Sequence, residues 1–133
     1  MPWGTLNAID MNTGQYLWKV PFGQHTELAE KGLTETGSEN HGGSALTATG
    51  VLFTGGSERD LKFRAYDTAN RKILWEGQLP GHGAATPAIY AVNGRQYVVI
   101  AASPPRTSSS ATSAPASKQS AISSATYVVF ALP

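Results

Sequence analysis

The chain has no cysteine in its 133 residues. That excludes a disulfide framework, a thiolate-ligated zinc site and a thiol nucleophile together. Net charge is almost absent as well: ten Lys and Arg stand against nine Asp and Glu, for a formal +1. The basic residues are scattered, so there is no electrostatic case for nucleic acid or an anionic membrane as partner. No stretch approaches the roughly 20 apolar residues of a membrane helix. The opening "MPWGTLNAID" has neither a basic n-region nor an apolar h-region, so no signal peptide is expected. A strand pattern begins there almost at once, as in a chain that starts partway through a larger protein. The length is that of about one domain.

Helical periodicity is scarce too, and β signals fill most of the chain. Thr5 to Asp10 leads into Asn12-Thr13-Gly14, a turn signal, and then into "QYLWKV", rich in aromatic and β-branched residues. These predict a hairpin in which Gly14 supplies a positive φ. A long connection follows, from about Pro21 to Gly43, whose middle "HTELAEKGLTETG" has room for one or two helical turns. "SALTAT", "VLFTGG", "KFRAYD" and "KILWEGQL" then read as four successive strands. "ATPAIYAV" and "RQYVVIAA" flank Asn93-Gly94, a strong hairpin turn, and "TYVVFAL" is the last strand. Residues 103–125, rich in Ser, Ala and Pro, are expected to form a flexible low-complexity loop. His82, in "PGHGAAT", reads as a loop residue between two strand groups.

The strands carry a repeat. "AIDMNTGQYLW" begins at Ala8 and "AYDTANRKILW" at Ala65, with Ala, Asp and Trp at the same offsets. A spacing a little above the roughly 40–50 residues of a propeller blade favours radially arranged four-stranded sheets over a sandwich. With strands A to D counted from the inside of a blade outwards, residues 1–20 supply C-D, residues 43–80 a full blade, and residues 84–133 A-B-C. The fold class is therefore all-β, a partial β-propeller. In each copy the Asp sits where the strand meets the turn and can hold turn amides. The Trp lies on the outer strand, where its ring can pack on the next blade and its N–H can reach a carbonyl. Ala8, Asp10, Thr13, Gly14, Trp18, Ala65, Asp67 and Trp75 are accordingly assigned structural roles. The second copy has Asn70 and Arg71 where the first has Thr13 and Gly14, so its turn is either reshaped or supported by Asn70 in a left-handed conformation.

Both stretches resemble the tryptophan-docking motif of the quinoprotein dehydrogenases, Ala-x-Asp-x-x-Thr-Gly-x-x-x-Trp, and the first copy matches every fixed position. "PWGTLNAID", "ENHGGSALTATGVLFTGG", "KFRAYD", "LPGHGAATPAIYAVNGRQYVVIAAS" and "YVVFALP" follow one another as in the C-terminal part of the membrane-type glucose, quinate and polyol dehydrogenases. The resemblance implies about two and a half blades of an eight-bladed propeller. It also implies pyrroloquinoline quinone (PQQ) with Ca²⁺ or Mg²⁺ on the axis, a sugar or polyol substrate, ubiquinone or a cytochrome as electron acceptor, and a periplasmic location. The family's catalytic Asp and metal ligands belong to earlier blades, so no residue of this chain is catalytic or metal-binding and the isolated chain is expected to be inactive.

By the same resemblance "ENHGG" faces the axis, which makes Asn40, His41, Gly42 and Gly43 candidate cofactor contacts, with Trp3 and Gly4 beside them. An Asn can hydrogen-bond quinone or carboxylate oxygens, and a Gly pair lets backbone approach a flat ring. After "YVVIAA" the relatives continue with a Gly-rich segment carrying a His, whereas this chain reads Ser103-Pro104-Pro105-Arg106. That departure keeps a second reading open, a noncatalytic propeller-repeat scaffold or binding module. Incomplete blades leave open strand edges, which predicts self-association or a partner chain that completes the ring.

Overall fold

Gly14 adopts φ +71°, and the chain reverses there. Thr5–Ile9 (β1) and Tyr16–Pro21 (β2) pair antiparallel across the turn, with Ala8 opposite Trp18. The structure, a computed structural model, describes residues 1–56, 59–104 and 123–132. Thr26–Ala29 (α1) is one short helical turn in the long connection. Ser44–Leu46 (β3), Val51–Gly55 (β4), Lys62–Asp67 (β5) and Ile73–Gln78 (β6) form a four-stranded antiparallel sheet in chain order. Ala88–Val92 (β7), Arg95–Ala102 (β8) and Thr126–Ala131 (β9) form a three-stranded one. Asn93 (φ +50°) and Gly94 (φ +77°) are both left-handed, the geometry that a two-residue hairpin needs to match strand twist. Of the Ser-rich stretch expected to be flexible, residues 105–122 lie outside the described residues.

The two motif copies build the same turn. Asp10 Oδ1 accepts the Asn12 N–H at 2.8 Å, and Asp67 Oδ1 accepts the Ala69 N–H at 2.8 Å. The Gly14 N–H donates to the Asp10 carbonyl at 2.7 Å, and the Arg71 N–H to the Asp67 carbonyl at 2.8 Å. Thr13 Oγ1 accepts the Gln15 N–H in the first copy, and Asn70 Oδ1 accepts the Lys72 N–H in the second. Each first strand carries a register shift, between Ala8 and Ile9 and between Ala65 and Tyr66. One expectation is corrected: the left-handed residue of the second turn is Arg71 (φ +68°), not Asn70. Asn70 takes over the side-chain acceptor role of Thr13, and also donates to Asp67 Oδ2 at 2.6 Å. That bracing holds Arg71 in a conformation costly for a residue with a Cβ.

β5 is buried on both faces because its sheet lies between the other two. Phe63 and Ala65 point into the main core with Phe53, Leu79, Val98 and Ile100, where Phe63 stacks on Phe130 of β9 at 5.5 Å. Full burial of a side chain of that size contributes roughly 1.5–3 kcal/mol. Arg64 and Tyr66 alternate to the other face and meet Phe22, which follows β2. Trp18 crosses from the first sheet to the β5–β6 turn and donates its indole N–H to the Thr68 carbonyl at 3.0 Å. Trp75 reaches the third sheet by packing edge-on against Phe130 at 4.8 Å. His82 is more than a loop residue. It is only 6% exposed, and it exchanges both backbone hydrogen bonds with Ser103 at the end of β8.

Candidate functional site

The long connection between the first two sheets is stitched to the start of β1. The Trp3 N–H donates to the Thr36 carbonyl at 2.8 Å, the Phe22 N–H to the Gly4 carbonyl at 3.0 Å, and the Ser38 N–H to the Phe22 carbonyl at 2.8 Å. The approach is close enough to require glycine, since a methyl on Gly4 would collide with the Ser38 carbonyl and one on Gly37 with the Gly4 backbone. Residues 38–44 then run beside the end of β4. An open cleft of about 470 Å³ lies between the two segments, within the usual range for small-molecule sites.

Five residues expected near a cofactor line this cleft: Trp3, Asn40, His41, Gly42 and Gly43. Trp3 is 68% exposed, with its ring 5.9 Å from that of His25. His41 is exposed. Asn40 is half-buried and its amide is engaged at both ends. Its Oδ1 accepts the Gly42 N–H at 2.9 Å and its Nδ2 donates to the Gly55 carbonyl at 3.4 Å. This side chain shapes the loop. The two glycines are also explained by packing, because a methyl on Gly43 would collide with Thr86 and one on Gly42 would press on the Ala84 carbonyl at 3.1 Å. Glycine therefore lets the strand lead-ins of the second and third sheets touch.

The other lining residues are Gly4, expected beside Trp3, Glu39 of the "ENHGG" segment, and Thr5, Leu6, Phe22, Ser38, Ser44 and Thr54, which the sequence did not single out. Thr54 is buried and its hydroxyl donates to the Gly43 carbonyl at 3.5 Å. The clue available was the glycine spacing around Trp3 and Ser38, which marks close backbone approach. The motif residues Ala8, Asp10, Thr13, Gly14, Trp18, Ala65, Asp67 and Trp75 do not line the cleft. Among the described residues no group of three His, Cys, Asp or Glu is placed to hold a metal ion.

At the same end of the second sheet, toward the outer strands, lies a cluster of charges that sequence reasoning missed. Arg64 Nη2 is 2.8 Å from Asp60 Oδ2 with both side chains buried, and Arg64 Nε donates to Glu76 Oε2 at 2.7 Å. Lys62 pairs with the other oxygen of Glu76. Burial works most strongly against the Arg64 charge, but Asp60, Tyr66 and Glu76 together outweigh it and the pKa is raised. Burial also opposes ionisation of Glu76, yet the Lys62 hydrogen bond and the Arg64 charge hold its pKa below the ordinary value. Tyr66 is pushed up by burial, with Arg64 offsetting part of the effect.

Residues 1–98 match the model of the family described as PQQ: glucose/ethanol/alcohol dehydrogenase, beta-propeller domain. The glycerol dehydrogenase large subunit of Gluconobacter thailandicus is 41% identical over 76% of this chain and 14% of its own length. Quinoprotein glucose dehydrogenase A of Acinetobacter calcoaceticus is 38% identical over 75% of this chain and 13% of its own length. The chain thus spans about one seventh of the length of these curated relatives. Among solved structures, quinohemoprotein alcohol dehydrogenase from Comamonas testosteroni superposes with a TM-score of 0.58 at 31% identity, covering 74% of this chain and 12% of that one. A europium-containing methanol dehydrogenase gives a TM-score of 0.61 at 20% identity over 77% of this chain and 15% of that one, a likeness of fold alone.

Proposed function

The chain belongs to the PQQ-dependent glucose/ethanol/alcohol dehydrogenase β-propeller family and folds as a partial propeller; from that premise we propose that it forms one wall of the cofactor cavity in a dehydrogenase that oxidises a sugar or polyol and passes the electrons to a quinone or cytochrome. Residues 1–20, 43–80 and 84–133 serve as a half blade, a full blade and an incomplete blade. The larger protein works in the periplasm, and the missing blades come from other parts of it, from a partner or from further copies.

PQQ, when bound, accepts hydride and supplies the oxidising power. This chain's own residues bind and orient. Trp3 offers an exposed aromatic face to a flat ring system. Gly42 and Gly43 present bare backbone beside it. Asn40 holds the loop that carries them. His41, exposed at the rim, supplies a polar contact. The general base and the ligands of the family's metal ion, Ca²⁺ or Mg²⁺, come from other blades, so the isolated chain binds without turning over. The observation that carries this reading is the convergence of Trp3 and the Asn40–Gly43 segment, distant in sequence, on a single cleft.

The experiment is a PQQ titration of the chain with Ca²⁺ present, followed by tryptophan fluorescence, with Trp3→Phe as comparison. Saturable quenching that Trp3→Phe removes supports the reading. No quenching up to about 100 µM PQQ, well above the range expected of a working site, favours a noncatalytic repeat scaffold.

A further inference from the structure

A second cleft of about 240 Å³ lies under α1, lined by Gln24, Thr26, Asp60, Lys62, Arg64 and Gln78 among others. Thr26 closes one side, its hydroxyl donating to the Arg59 carbonyl at 3.1 Å. The volume is several times the ~30 Å³ that one water occupies in the liquid. Two buried charged side chains form the wall, with Asp60 3% and Arg64 7% exposed. Arg64 donates Nε to Glu76 and its Nη2 forms an ion pair with Asp60 Oδ2 at 2.8 Å, while Arg64 Nη1 and Asp60 Oδ2 are both buried with no hydrogen-bond partner among the described residues. A buried donor of this kind is costly if nothing meets it.

The charges of the cluster cancel, Asp60 and Glu76 against Lys62 and Arg64. An anion approaching Arg64 Nη1 would face the Asp60 carboxylate, and a cation approaching Asp60 would face the guanidinium. A hydroxyl satisfies both, accepting from Nη1 while donating to Asp60. Gln24, Gln78 and Thr26 add neutral donors and acceptors around the same space. We propose that this cleft binds a small neutral polyhydroxyl compound with adjacent hydroxyl groups, at a site separate from the cleft beside Trp3. The site does not rest on the dehydrogenase reading, because none of its residues lines that first cleft.

The test is a titration of the full chain with D-glucose, followed by backbone and side-chain amide signals in ¹H–¹⁵N NMR spectra. Saturable shifts are expected at Gln24, Thr26, Lys62 and Gln78, half complete on the order of 1–10 mM. Gln78→Ala, at an exposed position, is expected to weaken binding about tenfold without unfolding the chain. Shifts confined to Trp3 and Gly42 would overturn the proposal by assigning glucose to the first cleft. Equal shifts with sodium acetate would overturn it in favour of an anion site. No shifts up to about 100 mM glucose would leave the cleft to water alone, and the proposal would fall.

Discussion

Trp18 hands its indole N–H to the Thr68 carbonyl, fifty residues away, at 3.0 Å. Thr68 is itself fixed, with its N–H and its hydroxyl both donating to the Gly50 carbonyl. The bond therefore ties the first sheet to two turns of the second. Trp18→Phe keeps most of the ring and removes the donor. The expected loss is about 1 kcal/mol, read as a fall of several degrees in melting temperature. Trp18→Ala removes the packing too and is expected to cost more than Trp18→Phe, in the same thermal scan.

Gly55 and Gly83 meet where the second sheet abuts the lead-in to the third, and a methyl on Gly55 would collide with the Gly83 carbonyl and with Ile100. Gly55→Ala is expected to destabilise by about 1–3 kcal/mol. Gly14→Ala meets no neighbour and pays only for its positive φ, so urea unfolding should rank it the milder of the two.

Asp60→Ala strips the buried guanidinium of Arg64 of its one buried partner and leaves it only the partly exposed Glu76. Removing one member of a buried pair typically costs about 3–5 kcal/mol, so this substitution is expected to be the most damaging of the set. The double variant Asp60→Ala, Arg64→Met should recover part of the loss in a double-mutant cycle, since the buried, under-compensated charge is gone.

Glu76 is held in its charged form by Lys62 and Arg64 against the cost of burial, with its folded-state pKa lowered. Its contribution is complete above the ordinary Glu value of about 4.3 and disappears as pH falls through the lowered folded value. Glu76→Gln should therefore flatten the acid side of a stability-versus-pH curve below about pH 5. The side chain is one-third exposed, so added salt should shrink the difference.

Tyr66 acts at the other end of the scale. Its raised pKa favours the neutral phenol in the folded state, so its contribution is complete below about pH 10 and is lost as pH rises through the folded value. Tyr66→Phe should lose that alkaline dependence, as followed by near-ultraviolet circular dichroism.

The strand count and the turns were legible because they depend on local chemistry. Gly14 and Asn93-Gly94 announce positive φ, and the alternation in β8 separates buried Val98, Ile100 and Ala102 from their neighbours. The cleft was legible through the resemblance of the "ENHGG" segment, while the reason for its glycines was not. They make room for Ala84 and Thr86, which only the packed neighbour reveals. Arg71 taking the left-handed position was hidden for a similar reason: the side chain that braces it, Asn70, was the better candidate by propensity. The Asp60–Arg64 pair left no signal, because four residues apart in a strand context says nothing about burial between sheets. His82 looked like a loop residue because its burial depends on Ser103, twenty-one positions later in the chain.

β5 has two faces of opposite character. Phe63 and Ala65 look into hydrocarbon, while Arg64 and Tyr66 look toward a polar seam roofed by Phe22. The middle sheet is therefore a directional piece with a greasy side and a salted side. A duplicated or transplanted copy of the middle sheet would fit only where its neighbours present the matching pair. That restricts which gene duplications could lengthen such a protein and still fold, and it makes the order of the sheets a heritable property in its own right.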